Sequence, residues 1–160
     1  MMASWSEFAE ARPDMAALLN AILEWIPITY LATVRRDGAP RVHPVCPIFA
    51  AGRMFVATAA DSPKRLDLAT DGRYAMHALP GKWREVDGQK RGDDEFYITG
   101  RARRLTGDEE RRMITEAAAH EVRAEDWLFE FDIEQAMTAY WENVGQPGTY
   151  PVREFWRGAT

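Results

Sequence analysis

Several things that would place this protein quickly are scarce in its sequence. There is a single cysteine, Cys46, among 160 residues. No intramolecular disulfide can form, so a reducing compartment, the cytoplasm, is the expected home. Positive charge is also in short supply: 20 Lys and Arg stand against 25 Asp and Glu, a net charge of −5. That argues against a nucleic-acid partner, because phosphate backbones call for a basic face. Charged residues or prolines interrupt every apolar run, no stretch reaches bilayer-spanning length, and no membrane role is expected. The opening "MMASWSEFAEARPD" lacks a basic patch followed by an apolar stretch, so it does not read as a secretory signal. The three histidines, at 43, 77 and 120, lie too far apart for metal-ligand spacing, so no metal site is expected. Nucleophile-elbow, dinucleotide and P-loop signatures are missing, which leaves hydrolase chemistry without support. There is no internal repeat and no low-complexity segment, and a chain of this length is expected to form one domain.

What is present reads as strands with a few helices. Residues 4–7, Ser-Trp-Ser-Glu, have capping-box spacing and open a short helix. A second helix begins at Pro13, carries Met15, Leu18, Leu19, Ile22 and Ile26 at helical spacing, and stops at Pro27. The period then changes. "ITYLATVRR" and "PRVHPVCPIF" flank an Asp-Gly turn at 37–38, as a hairpin requires. "AAG" turns into "RMFVAT", a short helix runs from Pro63 to about Thr70, and "RYAMHAL" follows as the next strand. Residues 80–94 are polar and turn-rich, either a long hairpin tip or a lid. "EFYITGRARRL" is a strand with Gly100 as a bulge or close-approach site. Thr106–Glu109 have capping-box spacing ahead of a helix over 107–122. "WLFEFDI" alternates as a strand, and "MTAYWEN" and "VREFWRG" are weaker strand candidates. Short strands joined by hairpins, with few helices, predict an antiparallel barrel with helices packed on it.

The stretch "TAADSPKRLDL", 58–68, carries the main chemical question. Ser62 is placed to cap the helix and Pro63 to open it, which needs no ligand. Lys64 and Arg65, however, put two cations in the first turn, where the helix dipole disfavours them unless an anion is near. On the second strand Arg41 and His43 are two apart and share a face. That face is either solvated or one wall of a cleft.

In order, "YLATVRRDGAPRVHPV", "RMFVATAADSPKRLDL" and "DEFYITGRARRL" resemble the FMN-binding split-barrel proteins related to pyridoxamine 5′-phosphate oxidase. The resemblance covers about Tyr30 to Leu105 and extends more weakly to "VREFWRG". It implies a split antiparallel β-barrel with peripheral helices that binds FMN as a homodimer, with cofactor sites at the subunit interface. By this resemblance Arg41 and Lys64 hold the cofactor phosphate. Ala57 and Thr58 at the strand end, with Ser62, hold the phosphate and ribityl side, and the backbone of Val42 and His43 runs along the isoalloxazine ring.

The departures are specific. Cys46 stands where the oxidase has a lysine, Glu95 where a glutamine meets the ring, and the oxidase's C-terminal substrate motif is absent from "YPVREFWRGAT". An FMN-dependent oxidoreductase on a small-molecule substrate, distinct from the oxidase itself, is the expectation, with no side chain an obvious acid or base. Two alternatives remain open. One is a deazaflavin coenzyme whose acidic tail would lie along Lys82, Arg84, Lys90 and Arg91. The other is a non-catalytic binder of flavin or haem, with His43 or His77 on the iron. Cys46 could be redox-active or an inert thiol, and Trp83 in the polar loop could cover a ring.

Overall fold

The computed structural model describes the backbone of residues 2–78, 84–86 and 89–158, and the side chains of 2–78 and 94–158. Trp83 and Lys82 lie outside the described residues, as do the side chains of Arg84, Lys90 and Arg91.

Helix α1 (Trp5–Ala11) starts where the capping box placed it: Ser4 Oγ accepts from the Glu7 N–H while the Glu7 carboxylate accepts from the Ser4 N–H at 2.7 Å. Helix α2 (Pro13–Trp25) buries Met15, Leu19 and Ile22, one stripe of its surface. Strands β1 (Thr29–Val34) and β2 (Pro40–Val45) pair antiparallel around the Asp37–Gly38 turn, where Gly38 adopts a positive φ of 83°. β3 (Ile48–Ala50) and β4 (Arg53–Thr58) follow, then α3 (Lys64–Thr70) and β5 (Arg73–Ala78). β6 (Arg84–Val86) pairs with β7 (Gln89–Leu105), so the polar stretch at 80–94 includes a hairpin. α4 (Asp108–Ala117), β8 (Trp127–Glu142) and β9 (Tyr150–Arg157) complete the chain.

The strands form one antiparallel sheet in the order β2-β1-β5-β7-β8-β4-β3, with β6 added to β7 and β9 to β8. β2 and β3 stand at opposite ends of that order, yet only Cys46 and Pro47 separate them in sequence. Three Cα–Cα steps of 3.8 Å bridge about 11 Å at most. The sheet must therefore curl until its ends nearly meet, and no hydrogen-bonded pairing joins β2 to β3. That is a barrel with a split. Phe8, Leu19, Leu31, Met76, Phe96, Ile98, Phe129 and Ile133 fill its interior.

The structure revises several boundaries. "PRVHPVCPIF" is two strands, because Pro47 has no N–H to give a ladder and the chain crosses the split there. "WLFEFDI" and "MTAYWEN" are one strand, held along its length by β7 on one side and by β4 and β9 on the other. α4 ends at Ala117 instead of 122, and its N-cap is Gly107, with no side-chain cap from Thr106. Likewise the N-cap of α3 is Pro63, with no capping bond from Ser62. Gly100 does mark a bulge. A Cβ there would lie 1.9 Å from the Asp132 carbonyl oxygen, so only glycine lets β7 and β8 approach.

Candidate cofactor site

On β2 the side chains alternate. Arg41 and His43 stand opposite Thr33 and Leu31, both fully buried, while Val42 turns to the other face and is 60% exposed. Helix α3 packs against β1 and brings Asp67, only 7% exposed, under the strand. One Asp67 oxygen accepts from Thr33 Oγ1 and from Arg41 Nε, each at 2.8 Å. A buried carboxylate of this kind is stable only when paired, and the pairing aims Arg41. Its terminal guanidinium nitrogens have no partner among the described residues.

Lys64 opens α3 and donates to Ser62 Oγ at 2.9 Å, so Ser62 binds the lysine side chain and does not cap the helix. Burial pushes the Lys64 ammonium's pKa down, partly opposed by Asp61. The His43 imidazole is likewise pushed down, first by burial and then by the charges of Lys64 and Arg41, with Asp67 pulling the other way. Both cations therefore act electrostatically on this ring. His43 Nε2 is buried and has no hydrogen-bond partner among the described residues, which is costly unless a further group meets it. α3 has only seven residues, so side-chain charge, more than a long helix dipole, makes this corner positive. Beside it a groove of about 590 Å³ runs between the β1–β2 turn and α3, lined by Arg35, Arg36, Arg41, Pro63, Leu66 and Thr70 among others.

Arg41, His43, Ser62 and Lys64 thus form one cluster. The remaining expected residues have partners of their own or stand on other strands. Thr58 is wholly buried, and its hydroxyl donates to the Trp127 carbonyl at 3.2 Å, so its hydrogen is already committed. Ala57 packs on the small apolar cluster of Ile48, Phe55 and Leu128. Glu95, on β7, lies 4.0 Å from His77 Nε2. His77, on the outer face of the sheet, has its Nδ1 2.5 Å from the Ala78 carbonyl. Sequence reasoning missed Asp67 and Thr33. The clue was an acid on the apolar side of "KRLDL", where an unpaired carboxylate could not be buried.

An anion fits this cluster: it would meet the unpaired Arg41 nitrogens and the Lys64 ammonium, and give the orphaned His43 Nε2 a partner. A flavin's phosphate is such an anion.

A profile described as pyridoxamine 5′-phosphate oxidase matches residues 15–144. Solved structures share the fold. A haem-binding protein from Mycobacterium smegmatis superposes with a TM-score of 0.59 at 19% identity, covering 88% of this chain and 58% of that one. A NimC/NimA family protein from Clostridium acetobutylicum gives 0.58 at 14% identity over 89% and 93% of the two chains. General Stress Protein 26 from Bacillus anthracis gives 0.56 at 16% over 89% and 97%. This chain therefore spans little more than half the length of the mycobacterial protein. At these identities the likeness is one of fold. No curated protein matches the sequence.

Proposed function

The chain belongs to the pyridoxamine 5′-phosphate oxidase family, and on that premise we propose that it is an FMN-binding oxidoreductase acting on a small molecule. The observation that carries this reading is His43, whose buried Nε2 has no partner among the described residues and whose ring is held below its ordinary pKa by burial and by the charges of Lys64 and Arg41. In this reading Arg41, aimed by Asp67, and Lys64, steadied by Ser62, bind the phosphate. Burial and the charges of Lys64 and Arg41 hold the His43 pKa below its ordinary value in the unliganded chain, and its Nε2 completes the phosphate or ribityl contacts. FMN, when bound, supplies hydride or electron transfer, and the protein supplies position.

A homodimer belongs to the same reading. Strand register places Tyr30, His77, Tyr97, Met137 and Phe155 in one row across the outer face of β1, β5, β7, β8 and β9. Phe155 is 68% exposed and Tyr30 is also exposed. An apolar row of this size on a sheet face suits a second copy, and Glu95 and His77 would then border the interface.

The test is spectroscopic. Protein purified from its own source and denatured should release FMN, identified by mass. Lys64→Ala with Arg41→Gln, which keeps an N–H donor for Asp67, should purify colourless with the fold intact, and a yellow double variant would defeat the assignment.

One observation favours a second reading, haem binding. The hydrogen bond between His77 Nδ1 and the Ala78 carbonyl orients the ring as ligating histidines are oriented, on an exposed aromatic face. Titration with haemin separates the readings: a Soret shift lost in His77→Ala supports haem, and its absence supports the flavin.

A further inference from the structure

The groove of about 590 Å³ beside α3 includes Arg41 but extends past it to the β1–β2 turn. Its volume is that of a small-molecule site, about 300–1,000 Å³. FMN ends at its phosphate, so a flavin held by Arg41 and Lys64 leaves the rest of this groove free for a second ligand.

Strand register sets the spacing on one wall. Thr33 pairs with Arg41, Val34 with Pro40, and the Arg35 N–H donates to the Ala39 carbonyl at 2.9 Å, so the ladder runs one pair further. Arg35 and Arg41 are therefore diagonal neighbours on one face, about 7–8 Å apart, and both line the groove. Two arginine side chains at that separation can converge on one phosphate or on a linked pair. Asp67 orients Arg41 through Nε and leaves its terminal nitrogens unpaired among the described residues. Arg35 pairs with Asp37 at 3.0 Å, but both side chains are half exposed. A surface pair of that kind contributes little, so Arg35 yields readily to a phosphate.

The facing wall is α3. Pro63, Leu66, Asp67 and Thr70 recur at helical spacing on one side of it and line the groove. Asp67 is spent on Thr33 and Arg41, while Leu66 is 53% exposed. A cationic wall thus stands opposite a partly apolar one. An acidic tail would use only the first and an uncharged ring only the second; a nucleotide uses both, phosphates on the arginines and base against Leu66.

We propose that the groove binds the adenylate half of a phosphorylated nicotinamide dinucleotide, the electron donor to the flavin. The donor role rests on the FMN reading, in which the ring lies at Val42 and His43. From His43 to the level of Ala39 is four residues of strand, about 13 Å, a length that two nucleosides joined by a pyrophosphate can span. The reaction balances: one hydride leaves the nicotinamide for the flavin and one solvent proton joins it, giving oxidised dinucleotide and reduced FMN.

The test begins with calorimetric titration of the full chain with adenosine 2′,5′-bisphosphate, which contains no nicotinamide. Saturable binding is expected, at least about tenfold tighter than that of 5′-AMP, which lacks one phosphate, or of inorganic pyrophosphate, which lacks the base. Arg35→Gln and Leu66→Asp, both at exposed positions, should each weaken it by about the same factor. In flavin-loaded protein kept free of oxygen, NADPH should bleach the flavin with a lower KM than NADH, and Arg35→Gln should raise that KM while leaving kcat unchanged. No saturable binding, pyrophosphate binding as tightly as the bisphosphate, unchanged binding to Arg35→Gln, or equal KM for the two dinucleotides would each overturn the proposal. The two readings fail separately. A chain that binds no FMN defeats the cofactor reading, whereas a yellow chain that ignores the bisphosphate defeats this one alone.

Discussion

Replacing Lys64 by methionine separates what that side chain does for a ligand from what it does for the fold. In the unliganded chain the Lys64 ammonium has one bond among the described residues, to Ser62 Oγ at 2.9 Å. Its charge, with that of Arg41, lowers the His43 pKa. Burial depresses its pKa, so the folded chain holds this proton less tightly than the unfolded chain does. Protonation therefore opposes folding wherever the unfolded lysine is charged, below a pH of about 10.4. Methionine keeps the stem and removes that penalty, while the lost hydrogen bond is worth about 1 kcal/mol. The two effects oppose each other, so the unliganded variant should unfold within a few degrees of the wild type. Phosphate binding is different, because a charge-assisted hydrogen bond is worth about 1.5–3 kcal/mol. Its loss should raise the dissociation constant for FMN roughly 10- to 150-fold. Flavin-fluorescence titration of stripped protein gives the affinity, and thermal unfolding of the same preparation gives the stability. A variant that binds FMN as tightly as wild type, or whose unliganded form melts several degrees lower, would refute the reasoning.

The other predictions follow from single contacts. Gly100→Ala puts a Cβ 1.9 Å from backbone that cannot yield, so urea unfolding should show a loss of about 3 kcal/mol; an unchanged midpoint would remove the bulge's claim to need glycine. Because the His43 pKa is depressed in the fold, wild-type stability should fall as pH drops below the unfolded value of about 6.5. His43→Gln should lose that slope, so the two stability curves should diverge between neutral pH and pH 5; parallel curves would show that His43 is not the group. Phe155→Arg, on the exposed sheet face, should convert a dimer to a monomer in light scattering, and a wild type that is already monomeric would end the dimer proposal.

How much of this was legible in advance depended on how far apart the partners lie in sequence. The Ser4–Glu7 capping box and the Asp37–Gly38 turn involve residues within a few positions, and both formed as read. Gly100 could be identified because its missing side chain is a local fact with one steric meaning. The Thr106–Glu109 box has the same spacing and formed no side-chain cap, since Gly107 became the cap instead. Residues 134–137, Glu-Gln-Ala-Met, favour helix by propensity. Pairing with β7 and β9 overrode that preference and made them the middle of a long strand.

At the candidate site the alternation of β2 was enough to put Arg41 and His43 on one face, and "SPKRLDL" offered Lys64 and Arg65 together, of which the family resemblance chose Lys64. What faced them could not be read, because the Arg41–Asp67 bond spans 26 residues and the Thr58–Trp127 bond spans 69. By itself the sequence determined the starts of α1 and α2, the β1–β2 turn, the alternation and the charged residues, all set by backbone hydrogen bonding and sterics between near neighbours. Only the tertiary structure decided that β2 and β3 sit on either side of a split, that Asp67 steers Arg41, and that Thr58 turns its hydroxyl inward. Those outcomes rest on closing the sheet and satisfying buried polar groups, which are properties of the whole fold.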